Sequence, residues 1–201
     1  MGILIQSYRK DWNRLKEAIS NEAMEIEIIK DDASINKLVD YLISAEDHRY
    51  NYHIGFDLIA IIRAIRNRII YRKQEGASTI EQQLVRTIIG KYEKTLNRKL
   101  REIFLAFSLK LFIDKKTIAI IYLNIAYYGT NYKGLDRILK KFNLIKGDLI
   151  NDNTCAEIVS RLKYPEPTTK SNRSELINNR RKYLLRLYEK HTNYKLLKIH
   201  G

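Results

Sequence analysis

Glu46-Asp47-His48-Arg49-Tyr50-Asn51-Tyr52-His53-Ile54-Gly55-Phe56-Asp57 is the stretch on which the reading of this chain turns. Two carboxylates, two histidines and an arginine crowd its first eight residues, directly after an apolar helical run. One reading is the edge of a cleft, with a carboxylate of perturbed pKa acting as acid or base. The other is a solvated turn in which Asp47 pairs with Arg49 and the histidines face water. By itself the stretch favours the turn, so the decision falls to its neighbours.

Upstream, Asp32 or Ser34 can cap a helix carrying Ile35, Leu38, Val39, Leu42 and Ile43, which delivers the chain to Glu46. Further back, Ile5, Tyr8, Trp12, Leu15 and Ile19 form one apolar stripe at helical spacing, with Arg9, Lys10, Arg14 and Lys16 on the other faces. That helix either packs on the domain or lies in a membrane interface. Met24 to Ile29 alternates briefly and reads as a short strand or a connector. Downstream, Phe56 to Arg72 reads as a helix with Ile59, Ile62, Ile65 and Ile69 inward and Arg63, Arg66, Arg68 and Arg72 outward. Gln74 to Ala77 breaks it, and Ser78 or Thr79 caps a helix through Gly90. Thr95 to Ile113 is expected to bury Leu96, Leu100, Ile103, Phe104, Phe107 and Leu111. Asp114 caps a helix running to Tyr128, with Gly129 as its stop. Helices at Lys133–Phe142, Asn153–Lys163 and Ser174 to about Lys190 follow, and a basic tail ends the chain.

Composition agrees with long helices. Hydrophobic residues make up 45% of 201, and two prolines and eight glycines interrupt them. The single cysteine, Cys155, excludes an internal disulfide and a cysteine-based zinc site. With 37 basic against 23 acidic residues the net charge is +14, which attracts nucleic acid, anionic lipid headgroups or a phosphorylated substrate. No apolar run reaches transmembrane length, and the first six residues have neither a signal-peptide layout nor a myristoylation pattern. The expectation is a soluble chain.

Three further motifs stand out. Gly76-Ala77-Ser78-Thr79-Ile80-Glu81-Gln82-Gln83 leads small residues into a helix N-terminus, an arrangement suited to an anion or a sugar hydroxyl as well as to plain capping. Arg98-Lys99-Leu100-Arg101-Glu102 places Arg98 and Glu102 one helical turn apart. Tyr122-Leu123-Asn124-Ile125-Ala126-Tyr127-Tyr128-Gly129 reads as a core helix with a glycine stop.

In this order the four stretches resemble the motifs of glycosyltransferase family 51, the lysozyme-like peptidoglycan glycosyltransferase domain of penicillin-binding proteins and monofunctional transglycosylases. The pattern E-D-x-R-F-x-x-H-x-G-x-D is met from Glu46 to Asp57 with Tyr50 in place of the aromatic Phe. G-x-S-T-I-x-Q-Q is met in full from Gly76, R-K-x-x-E from Arg98, and Y-L-N-x-x-Y-x-G from Tyr122. The likeness is dense over residues 38–134 and thin beyond. It implies an all-α, single lysozyme-like domain over residues 31–201, preceded by an amphipathic helix and connector over 1–30.

The resemblance also implies the chemistry: polymerisation of lipid II, an undecaprenyl-diphosphate disaccharide-peptide, with inversion at the donor sugar. On that basis Glu46 is the general base and Glu102 the second carboxylate, near the diphosphate, with a divalent ion there; oxygen ligands suit Mg²⁺ or Mn²⁺. Ser78, Thr79, Gln82, Gln83, Arg86, Lys94, Arg98, Lys99 and Asn124 are the implied substrate contacts, while Asp47, His53 and Gly55 hold the first motif in shape. The implied setting is the outer face of the cytoplasmic membrane, with an anionic membrane surface and other cell-wall synthesis proteins as partners. Nucleic acid is the least favoured partner. The chain departs from the family at Lys110, where a glutamate is usual, at Thr117, and in the C-terminal third. These departures raise an alternative, a non-catalytic member that binds lipid-linked precursor or a partner enzyme.

Overall fold

A computed structural model describes residues 2–73, 76–93, 95–168 and 172–194, with side chains from residue 6 onward. Lys94, the break at Gln74-Glu75, the side chain of Ile5 and the end of the basic tail lie outside the described residues.

Nine α-helices and no strand occur among the described residues, so the fold is the expected all-α one. They are α1 (Gly2–Ile29), α2 (Ala33–Glu46), α3 (Leu58–Tyr71), α4 (Ile80–Ile89), α5 (Leu96–Phe112), α6 (Lys115–Ile125), α7 (Leu135–Lys141), α8 (Asp152–Lys163) and α9 (Arg173–Asn193). Polar caps start most of them. The side chains of Asp32, Asp57, Thr79, Thr95, Asp114 and Asn151 each accept a first-turn backbone N–H, which satisfies donors a helix end otherwise leaves open.

The centre is α6, whose residues Ile118 to Asn124 are all buried, as befits a helix apolar around most of its circumference. On one side α1 and α4 pack against it, with α5 on α4; on the other, α2 packs against it and carries the α8–α9 pair. The C-terminal end of α2 and the face of α4 meet across this centre, and that junction positions the site.

Several expectations are corrected. Met24 to Ile29 is neither strand nor connector but the last turns of α1, and Ile26 and Ile29 are buried. The N-terminal stripe is used up on the core: Leu15 and Ile19 are buried, and Tyr8 and Trp12 pack against them. Among the described residues the stripe, Tyr8, Trp12, Leu15 and Ile19, faces the core and not a membrane. α5 turns the opposite way from the expectation. Leu96, Leu100, Phe104 and Leu111 are exposed, and the buried face is Glu102, Leu105, Ala106 and Leu109. Counting apolar residues chose the wrong stripe because the true interior face contains a carboxylate. In α3 the arginines Arg66, Arg68 and Arg72 are outward as expected, but the isoleucines are not inward. Ile59, Ile62, Ile65 and Ile69 are each more than half exposed, and Ala60 is the helix's one buried residue. Finally, α6 stops at Ile125 rather than Tyr128. Tyr128 leaves the helix to exchange backbone hydrogen bonds with Tyr132 and Glu166.

Candidate active site

Glu46 is the last residue of α2, and the local sequence holds that end tightly. Asp47 caps it, donating its backbone N–H to Ile43 O. The Asp47 carboxylate then turns inward: Oδ2 accepts from His53 Nε2 (2.9 Å) and from the backbone N–H of Ile80 (3.2 Å). Gly55 N–H donates to His53 Nδ1 (3.3 Å), which assigns the remaining ring proton to Nε2. Gly55 O accepts from Thr79 Oγ1 (2.8 Å), and Thr79 Oγ1 accepts from Gln82 N–H (3.3 Å). Asp47, His53 and Gly55 thus bind the 47–57 loop to the N-terminus of α4.

The Glu46 side chain is held by two groups. Gln83 Nε2 donates to Oε2 (3.3 Å), and the Gln83 carbonyl accepts from Tyr122 OH (2.7 Å). Arg180 on α9 donates to Oε1 (3.3 Å) and to the backbone O of Ala45 (3.0 Å). Burial pushes the Glu46 carboxyl up from its ordinary value, and the opposing pull of Arg180 and Gln83 is the smaller effect.

Glu102 lives in the opposite environment. Its side chain is buried, and its two oxygens accept from Arg86 (3.0 and 2.9 Å), from Lys99 (2.8 Å) and from Arg98. Burial alone would raise this carboxyl, but the hydrogen bonds and charges of Arg86 and Lys99 outweigh it and hold Glu102 below the usual range. Ser78 Oγ sits between Arg86 (3.1 Å) and Lys99 (3.0 Å), and Lys99 also donates to the Gln82 carbonyl. Ser78, Gln82 and Arg86 are four residues apart, so the first residues of α4 and its lead-in present one face to the cation cluster. Gln83, one residue round, faces Glu46. A single short helix therefore links the two carboxylates.

Of the implied substrate contacts, Ser78, Gln82, Gln83, Arg86, Arg98 and Lys99 come together here. Two stand apart. The Thr79 hydroxyl is engaged by Gly55 and by the α4 cap. Asn124 is two residues from Tyr122 on α6 and so points to the other side of that helix, where its amide donates to Glu22 of α1 (3.2 Å). The expected divalent ion does not fit at Glu102, since both oxygens are engaged by cations. The group of three ligand-type side chains found close together among the described residues is Asp47, His53 and Glu81 instead. Sequence reading missed Arg180 and Glu81. Arg180 carries no local signal, since it reaches Glu46 across 134 positions. Glu81 occupies a variable position of the second motif, and a charge in the apolar-facing first turn of a helix was the cue.

Two carboxylates with opposed environments, one kept proton-hungry and one drowned in positive charge, can divide base catalysis from stabilisation of an anionic leaving group. Comparison with known proteins identifies the family. The family model described as Transglycosylase matches residues 12–189. The chain is 32% identical over 147 residues to the "Biosynthetic peptidoglycan transglycosylase" of Bacteroides thetaiotaomicron, covering 73% of this chain and 59% of that protein. It is 31% identical over 161 residues to the "Monofunctional glycosyltransferase" of Staphylococcus haemolyticus, covering 73% and 58%. With "Penicillin-binding protein 1A" of Aquifex aeolicus it shares 39% over 108 residues, 51% of this chain and 15% of that protein. The chain thus spans less than two thirds of each of these relatives. With four motifs in order, an all-α fold and a model match over most of its length, the chain belongs to the transglycosylase family.

Proposed function

We propose that the chain is an inverting glycosyltransferase that polymerises a polyprenyl-diphosphate-linked sugar, most simply lipid II into β-1,4 peptidoglycan strands. Glu46 takes the proton from the acceptor 4-hydroxyl as that oxygen attacks the donor's anomeric carbon. The bond from that carbon to the diphosphate oxygen breaks, the α-linkage becomes β, and the lipid diphosphate leaves with the electron pair. A base with a raised pKa is matched to proton abstraction near neutral pH. The observation that carries the reading is the cation excess at Glu102. Arg86, Arg98 and Lys99 surround one carboxylate, which leaves about two positive charges for a diphosphate that gains negative charge as it departs. Ser78 and Gln82 line the same place, and no step is derived through a metal.

The substrate's lipid calls for a membrane, and α3 supports one. Leu58, Ile59, Ile62, Ile65, Ile69 and Ile70 are exposed on a helix that also carries Arg63, Arg66 and Arg68. We read this helix as the part that lies on an anionic membrane surface. Cell-wall synthesis partners and a site on the outer face of the cytoplasmic membrane follow from the same reading.

Incubation of the folded chain with labelled lipid II and Mg²⁺ is expected to yield glycan chains. No polymer from lipid II or other lipid-linked donors would sink the reading. Equal donor binding by wild type and Glu46→Gln without turnover in either would select the non-catalytic alternative.

A further inference from the structure

The reaction proposed above leaves the buried charge of Glu81 unused. Glu81, in the first turn of α4, has no exposed surface, so its carboxylate is cut off from water. A carboxylate in that position is costly unless a cation compensates it. The cation is Lys115, the first residue of α6, whose Nζ lies 3.2 Å from Glu81 Oε1. Lys115 is itself stitched to the first motif. Its ammonium donates to Tyr50 O and stands 4.3 Å from the Tyr50 ring centroid, and its carbonyl accepts from Tyr50 OH (2.7 Å). On the other side, Glu81 faces His53 Nδ1 (3.9 Å), and His53 holds Asp47, the residue after Glu46.

We propose that the Glu81–Lys115 ion pair is a positioning clamp: it fixes the Tyr50–His53 segment against α4 and α6 and, through Asp47, sets the orientation of Glu46. The inference rests on Glu46 being the base, and it makes Glu81 a positioning residue, not a reacting one. Lys110 of α5 supplies a further, specific consequence. Its charge opposes that of Lys115 and, with burial, works to lower the Lys115 pKa, while Glu81 and Asp47 work to raise it. Asp114 and Asp47 also act on Tyr50 from the same surroundings. Position 110 is where the resemblance expects a glutamate. A carboxylate there would act on the same ammonium with the opposite sign, the sign that Glu81 supplies from α4. Lys110→Glu should therefore substitute for Glu81. The oxygens and ring nitrogen of Asp47, His53 and Glu81 lie within 4.8 Å of one another, but the Lys115 ammonium already supplies the positive charge a metal ion would bring.

The test is a cycle of wild type, Glu81→Gln, Lys110→Glu and the double variant, read by thermal melting without substrate and by lipid II polymerisation well below every melting point. Glu81→Gln is expected to melt lower and to lose on the order of tenfold to a hundredfold in kcat with KM within twofold, as a displaced base does. Lys110→Glu added to it should recover most of both losses. Additive melting shifts with no rescue would overturn the clamp, and lower melting with unchanged kcat would overturn the positioning role. One equivalent of zinc or manganese held by wild type and lost in Glu81→Gln would overturn it in favour of a metal site. If wild type makes no polymer, the reaction fails, and the substrate-free melting cycle still decides the clamp. Should Glu81→Gln not fold, Glu81→Asp carries the same comparison, with rescue by Lys110→Glu expected and its absence overturning the proposal.

Discussion

Gly55→Ala tests how tightly the first-motif loop is seated. Gly55 has φ +96°, a conformation that side chains disfavour, and an added Cβ would lie 2.6 Å from Ala106 O and 2.8 Å from Ala106 C. Those atoms are backbone in the middle of α5, so they cannot swing aside as a side-chain tip could. The backbone strain costs about 1–2 kcal/mol, and the forced displacement about 1–3 kcal/mol. The sum, about 2–5 kcal/mol, corresponds to roughly 4–20 °C in melting temperature for a domain of this size. Gly90→Ala separates the two parts, because Gly90 has φ +70° but open space at its Cβ position. Thermal melting of both variants should show Gly55→Ala as the more destabilised by about 1–3 kcal/mol. Equal shifts would mean that α5 does not close on this loop and would refute the packing described here.

Three further outcomes follow from charge and exposure. The Glu102 carboxyl is held low in the folded state, so its contribution to stability is complete above the unfolded value of 4.5 and is lost as pH falls through the folded one; acid melting of Glu102→Gln should lack that loss, and an identical pH slope would count against the cation cluster. Arg180 pulls the Glu46 pKa down against burial, so Arg180→Gln lets it rise further. The acid limb of the polymerisation rate, where Glu46 must lose its proton, should move to higher pH, and movement to lower pH would contradict the assignment. Ile62→Glu with Ile69→Glu on α3 should abolish flotation with vesicles containing anionic phospholipid while leaving the melting temperature within a few degrees, since both residues are exposed. Unchanged flotation would remove α3 as the membrane face.

What could be read in the sequence followed local rules. Caps at Asp32, Thr79 and Asp114 are short-range chemistry, and helix starts were legible from them. The faces of α3 and α5 were not, because both rest on the premise that apolar residues turn inward. In α5 the interior includes Glu102, stabilised by Arg98 and Lys99 of α5 and by Arg86 of α4, and only the first two lie within a window along α5. In α3 the isoleucines stay outside because other helices cover little beyond Ala60. The site divides in the same way. The family resemblance brought out Glu46, Gln83, Arg86 and Glu102, whereas Arg180 and the Glu81–Lys115 pair depend on α9 and α6 folding back. Asn124 shares the fourth motif with Tyr122, yet helical geometry sends the two to opposite sides.

The most direct test of the central claim is polymerisation of labelled lipid II by wild type and by Glu46→Gln across pH. Wild type is expected to produce glycan with a rate that rises through the elevated Glu46 pKa. Glu46→Gln should fold and lose about 10²–10⁴-fold in rate. A folded Glu46→Gln that polymerises at the wild-type rate would contradict the account.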